Sequence, residues 1–193
     1  MYIQLVLKQI KTTKNKNTMK ITKWIIDPTH SEISFKVKHL VISTVTGYFR
    51  VFEGQLESES DDFSNAQVSF STAIDSISTN QADRDTHLKS ADFFDGENHP
   101  KLSFTGKIIT DSGEHKLVGD LTIKGITNPL TLDVDFGGVA GDPYGQTKAG
   151  FEIEGKISRK DYGLTWSVVT EAGSIVVSDQ VRLIMSVQLV KQA

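Results

Sequence analysis

The densest group of side chains able to do chemistry in this sequence is Asp83-Arg84-Asp85-Thr86-His87. On a helix, Asp83 and His87 fall at i and i+4 on one face, as do Asp85 and Lys89, while Arg84 faces Leu88. Two readings of this cluster stay open. One is a surface helix with local ion pairs, each worth a few tenths of a kcal/mol, roughly. The other is a lid on which Arg84, Asp85 and His87 meet the polar head of a ligand, since an arginine fork suits a phosphate or a quinone oxygen. Phe93 and Phe94 would then contact the adjoining apolar chain. His39 shares the parity of Ile33, Phe35 and Val37, so it points inward near a strand end, either as a hydrogen-bonded interior histidine or as a ligand contact. His30, in Asp27-Pro-Thr-His30-Ser31, reads as a turn residue tying the first strand to the second. His99 precedes Pro100 at the start of a strand, and His115 lies in a polar turn.

Other chemistries find no support. No histidine pair has the His-x-His or His-x-x-x-His spacing that presents two metal ligands from one element, so no metal and no other cofactor is expected. Cysteine is absent, which removes disulfides, thiolate zinc sites, iron–sulfur clusters and a thiol nucleophile together. There is no Gly-x-Ser-x-Gly elbow, phosphate-cradling loop or dinucleotide fingerprint, and Asp27, His30 and Ser31 lie too close in sequence to count as a triad. The expectation is a binding protein and not an enzyme.

The elements that must carry these residues are strands. Period-two alternation, apolar on one face and polar on the other, recurs from Trp24 to the end of the chain. It is clear at Ile33-Ser-Phe35-Lys-Val37, at Val68-Ser-Phe70, at Leu130-Thr-Leu132-Asp-Val134-Asp-Phe136, at Phe151-Glu-Ile153 and at Val181 to Leu189. Eight or nine strands result, separated by turn clusters such as Gly141-Asp-Pro143 and Glu171-Ala-Gly-Ser174. Only Gln81 to Ser90, capped by Asn80, and a turn at Arg159 to Gly163 read as helical. With almost no helix to cover their apolar faces, the strands must close on themselves or pack as a sandwich. Their length favours an all-β, eight-stranded antiparallel barrel with one or two short helices at its mouth. Gly47, Gly106, Gly119, Gly125 and Gly155 interrupt the strand patterns where backbones bend or approach closely.

The chain has 193 residues and a net charge of −3, of which residues 1–26 hold six lysines and no acid, so the remainder carries −9. An acidic domain is a poor nucleic-acid binder, and no nucleic-acid partner is expected. Residues 1–20 read as a mobile basic N-terminal tail and 21–193 as the barrel domain, with Met19 a second candidate start. No stretch approaches the roughly 20 apolar residues of a spanning helix, so stable membrane insertion is not expected. Without a recognisable signal peptide the expected location is the cytoplasm.

Several segments are more specific than a β pattern. These are Trp24-Ile-Ile-Asp27-Pro-Thr-His30-Ser31-Glu-Ile33-Ser-Phe35-Lys-Val37-Lys-His39, Ser76-Ile-Ser-Thr79, and Arg84-Asp85-Thr-His87-Leu88-Lys-Ser90-Ala-Asp92-Phe93-Phe94-Asp95. They continue with Pro100-Lys-Leu-Ser-Phe104, Gly119-Asp-Leu121-Thr122-Ile-Lys-Gly125-Ile-Thr127 and Arg159-Lys-Asp161-Tyr-Gly163-Leu164. In this order they resemble the YceI-like family over about residues 23–191. The resemblance implies a lipocalin-like barrel that binds polyisoprenoid lipids, with the periplasm as the alternative location and a homodimer as one oligomeric outcome. Ile109, Val118 and Ile184 are outward apolar residues that could serve a dimer. Counting apolar residues alone does not separate a filled interior from a hollow one; the resemblance favours a cavity. Its expected apolar lining is Phe35, Val37, Phe49, Phe70, Phe94, Phe104, Leu132, Phe136, Phe151 and Ile153, and its polar rim is Arg84, Asp85, His87 and His39. The expected partner is a hydrophobic small molecule, an isoprenoid or else an acyl lipid or other amphiphile.

Overall fold

The computed structural model describes residues 21–111, 113–168 and 176–193; the expected tail at 1–20 and the turn at 171–174 lie outside these residues. The strand segments are β1 (Thr22–Ile26), β2 (Glu32–His39), β3 (Ser43–Phe49), β4 (Phe52–Ser58), β5 (Gln67–Ala73), β6 (Ile77–Ser78), β7 (Lys101–Asp111), β8 (Glu114–Ile123), β9 (Ile126–Gly141), β10 (Thr147–Ser158) and β11 (Val177–Lys191). One helix, α1 (Ala82–Lys89), precedes β7, and short 3-10 turns occupy Ile74–Ser76 and Arg159–Tyr162.

All strands belong to one antiparallel sheet, and the order β1-β4-β5-β7-β8-β9-β10-β11 closes because β11 pairs back onto β1. β2, β3 and β6 prolong β1, β4 and β5 beyond short interruptions, so β11 runs beside β2 and then beside β1. The eleven segments are therefore eight continuous arms joined in chain order, an up-and-down barrel and not a sandwich. The reason is the one-sidedness of the sequence: Trp24, Leu56, Phe104, Leu117, Leu132 and Phe151 all turn inward and are buried, and a closed sheet lets them bury against one another without an exposed edge.

Three details set the shape. First, β7 and β8 touch at Gly106 and Gly119, directly opposite in register, with the Phe104 ring lying across both. A Cβ on Gly119 would collide with the Thr105 carbonyl and lie 2.5 Å from Gly106 Cα. Second, the loop between β4 and β5 folds into one end of the barrel. Phe63 there is fully buried, with its ring 5.2 Å from each of Trp24, Phe136 and Phe151, and it seals that end. Third, residues 27–31 bulge out between β1 and β2. The backbone of β11 bridges the gap, Gln188 N–H donating to Ser31 Oγ at 2.9 Å and its carbonyl accepting from Asp27 N–H at 2.8 Å.

Outside this bulge, Lys148 of β10 reaches Asp27 at 3.1 Å and Asp142 at 3.5 Å, with all three side chains about 15% exposed or less. The expectation for His30 holds, its ring lying 2.8 Å from Asp27. The Thr29 hydroxyl above all, and then His30 and Lys148, hold the Asp27 carboxyl well below the usual carboxylate range against the opposing effect of burial.

The helix departs from expectation in its cap. Gln81, not Asn80, is the N-cap, its side chain accepting from Arg84 N–H at 2.5 Å, while Asn80 takes a left-handed turn with φ 61. The side chain of Gln81, one residue further on, satisfies the free N–H instead.

Two outcomes test this account. Gly119→Ala is expected to lower stability by about 1–3 kcal/mol through forced separation of β7 and β8. Gly54→Ala, where the new methyl would sit 3.4 Å from Phe70, is expected to be tolerated; thermal melts compare the two. Because the Asp27 carboxyl titrates lower in the folded than in the unfolded chain, its stabilisation is present above an unfolded value of about 4 and fades as pH falls through the folded value. Asp27→Asn should therefore melt below the parent near neutral pH, with the gap closing on acidification; parallel curves would contradict it.

Candidate functional site

The interior defines the site. The barrel encloses about 140 Å³ of free space, lined by 28 residues from all eight arms. A buried water needs only roughly 10–15 Å³, and close-packed interiors leave few voids larger than that. The barrel is therefore hollow rather than filled. The lining is apolar apart from Ser34, Gln55, Ser69 and Thr72, and it contains no charged side chain. Ser34 Oγ donates to the Ile184 carbonyl and Thr72 Oγ1 to the Val51 carbonyl, both at 2.8 Å, so these hydroxyls are committed to backbone.

Of the expected apolar lining, Phe35, Phe49, Phe70, Phe104, Leu132, Phe151 and Ile153 face this space. Phe136 lies beyond it, stacked on Phe151 at 5.1 Å in the sealed end. Val37 lies nearer the opposite rim, half-buried between Val45 of β3 and Val181 of β11. Phe94 sits on that same rim, buried, with its ring edge-on to Phe49 at 6.2 Å.

That rim gathers the β2–β3 hairpin, α1 with the segment after it, the β8–β9 turn and the chain leaving β10. Both expected helical pieces lie there. The helix-internal pairs that spacing suggests do not form, because nearby loops offer better-placed partners. Asp85 accepts from the N–H and hydroxyl of buried Thr79, at 2.8 and 2.5 Å. Arg84 also turns to Thr79, donating from Nε to its hydroxyl at 2.7 Å and from Nη2 to its carbonyl at 2.8 Å, rather than lying along Leu88. Lys89 pairs with Asp75 at 2.9 Å. Arg84 and Asp85 thus clasp the start of α1 to the end of β6. His87 is held differently: its ring is edge-on to Phe93 at 5.1 Å and to Trp166 at 5.0 Å, and Nε2 lies 3.2 Å from Asp92. His39 is half-buried at the last residue of β2, opposite Ser43 and Val177.

Two residues that build the site escaped sequence reasoning. Phe63 closes the far end from a loop without alternation, so only the fold reveals it. Arg159 belongs to a motif quoted above but carries a role that spacing does not show. It is 3% exposed, and its guanidinium donates to the carbonyls of Leu164, Trp166 (2.8 Å), Val177 (3.3 Å) and Ser178 (3.0 Å) and to Asp179 (3.2 Å). This one side chain ties the segment that carries Trp166 to the start of β11, and Trp166 in turn packs on His87 and Phe93.

The fold and the lumen together define a closed up-and-down β-barrel with an apolar interior, sealed at one end and bordered by aromatic and polar groups at the other. The YceI-like domain family matches residues 24–189, and the chain belongs to it. It is 40% identical over 163 residues to a UPF0312 protein of Staphylococcus epidermidis, covering 84% of this chain and 94% of the relative. The Campylobacter jejuni YCEI protein is 31% identical, with a TM-score of 0.69 over 81% of this chain and 90% of that one. A domain from Saccharophagus degradans described as polyisoprenoid binding shares the fold alone, at 14% identity and a TM-score of 0.66, covering 88% of this chain and 98% of its own. Among the described residues no helix is long and apolar enough to cross a membrane.

Arg159→Ala would remove the donor that four carbonyls share and is expected to cost about 3–5 kcal/mol, the range for breaking a buried charged network. Loss of the loop should also shift the Trp166 emission to the red. A variant with parent-like melting and emission would show that the loop is held by other means.

Proposed function

We propose that the protein binds the chain of an isoprenoid lipid along its lumen, with the polar head at the rim, and makes or breaks no bond in it. The observation that carries this reading is the uncharged, predominantly apolar lining of a hollow barrel. Burial of ligand surface there yields about 25 cal/mol per Å² before association costs. The hydroxyls of Ser34 and Thr72 are tied to backbone, and no charged or histidine side chain lines the space to act as a general base, which supports binding over catalysis. Membership of the YceI-like family and the shared fold of the polyisoprenoid binding domain favour an isoprenoid over other apolar chains.

A free volume of about 140 Å³ resembles that of an engineered cavity that takes benzene, about 150 Å³. A prenyl chain longer than about six carbons must therefore displace side chains. Leu102, Ile157, Leu183 and Met185 are only partly buried and line the space, and they are the side chains best placed to yield. At the rim, we assign contact with the head to His39 and His87. Arg84 and Asp85 act on it by holding α1 in position.

Titration of delipidated protein with a C20 isoprenoid alcohol and a saturated C20 alcohol tests the reading. Micromolar or tighter binding of the prenyl compound, weakened at least about tenfold by the lumen-filling Ile153→Trp, is expected. Equal affinity for both alcohols would shift the assignment to a general amphiphile binder. No binding of either would remove the proposal.

A further inference from the structure

The β2–β3 hairpin ends in three residues, Leu40, Val41 and Ile42, at the rim that borders the lumen. Leu40 and Val41 both adopt left-handed backbone, with φ of 50 and 67. For a β-branched residue this conformation is strained, and Asn or Gly would meet the same turn at lower cost. Despite that strain, the turn presents two large apolar side chains to solvent: Val41 is 77% exposed and Ile42 85%. The apex is firmly placed, since Leu40 N–H donates to the Val176 carbonyl at 3.0 Å and Val176 N–H to the Val168 carbonyl at 3.1 Å. Val168 adds a third exposed apolar side chain to this part of the rim.

Charge on the hairpin runs against that of the domain. Residues 33–52 hold Lys36, Lys38 and Arg50 and no Asp or Glu, the longest acid-free run of the described residues in a domain that is otherwise acidic. Lys36 and Lys38 are exposed on the outer face of β2, and no carboxylate among the described residues pairs with them. On the inner face, beyond His39 and Ser43, the side chains of Val37, Val45 and Val181 form an apolar path to Phe35, which lines the lumen.

We propose that this apex docks on an anionic lipid bilayer: Val41 and Ile42 enter the headgroup and acyl boundary, and Lys38 and Lys36 face the anionic headgroups. An apolar cluster reaches about 5–10 Å into that boundary, and with a strand rise of about 3.3 Å per residue Lys38 lies at headgroup level when Val41 is inserted. Each lysine near an anionic surface adds about the same favourable increment, and salt screens it. A projecting apex of two side chains cannot bury the roughly 800 Å² per partner of a stable protein interface, whereas a bilayer closes around a point. The docking places the apolar path to the lumen beside the membrane, yet the contact requires no ligand in the lumen, so it stands or falls separately from the proposed function.

The test is co-sedimentation of the full chain, without added ligand, with phosphatidylcholine vesicles and with vesicles that also contain phosphatidylglycerol. Binding stronger to the anionic vesicles and weakened by salt is expected. Val41→Asp with Ile42→Asp should reduce it at least about tenfold, and Lys36→Glu with Lys38→Glu should abolish the preference for the anionic vesicles. The substituted sites are exposed, and melting temperatures verify that the fold is intact. As a second readout, Ile42→Trp should show an added blue shift of emission on vesicle addition. Parent-level binding by the apex variant, an unshifted tryptophan, or no binding of the parent to either vesicle would overturn the proposal.

Discussion

Closure of the sheet through β11 is the constraint on which everything else depends. Eight arms that are each apolar on one face have no stable arrangement until the last pairs with the first, and the last must do so along two separate strands, β2 and then β1. The five residues from 27 to 31 are surplus to that pairing and have to leave the sheet. Ser31 and Asp27 keep the backbone of β11 hydrogen-bonded across the gap, and on its outer side Asp27 meets His30 and Lys148, with Asp142 a second charge 3.5 Å from Lys148. Breaking a group of partly buried charges leaves the remaining ones unpaired, so the cluster fixes one geometry for the bulge more than it adds net stability.

The parts of this architecture that obey a period were legible in the sequence. Alternation at Ile33, Phe35 and Val37 or at Leu130, Leu132 and Val134 assigns a face to each residue, and a closed barrel is the one cover available to so many one-sided strands. Glycines within those patterns marked real close approaches at Gly47, Gly106, Gly119 and Gly155, where a neighbouring ring, leucine or backbone occupies the space of a Cβ. What was not legible depends on distance across the fold. Helical spacing predicts Asp83 beside His87, Asp85 beside Lys89 and Arg84 beside Leu88, but Thr79, Asp92 and the aromatic pair Phe93 and Trp166 take Asp85, Arg84 and His87 instead. Parity gave Phe136 an inward side correctly and could not show that Phe63 fills the barrel at its level.

A lumen without a charged lining residue can be selective only in a limited way. Apolar contact is nearly additive in buried area and discriminates single methylenes by about 1–3 kcal/mol. Selection by head group is therefore left to the rim, where orientation comes from packing: Arg159 holds the Trp166 loop, Trp166 and Phe93 hold His87, and Thr79 holds Arg84 and Asp85. These groups spend their hydrogen bonds on the protein. They hold the rim in shape at the end opposite Phe63.

The two ends of the barrel thereby meet opposite demands with the same residue types. At the sealed end, Phe63 packs edge to face on Trp24, Phe136 and Phe151, and Phe136 stacks on Phe151, so the Phe63 ring is fixed by the other three. At the rim the aromatic contacts, among them Phe49 with Phe94 and His87 with Phe93 and Trp166, rest on loops and on a helix with no buried residue. A helix held by a polar clasp and two ring contacts has little apolar burial to lose on displacement, so this end has the lower local stability. A chain that must push lining side chains apart to enter a space of about 140 Å³ is admitted most easily where the surrounding structure yields first. The asymmetry between plug and rim gives the proposed binding mode a direction: a lipid chain would lead through the rim towards the Phe63 end and leave its head among the groups that border the lumen.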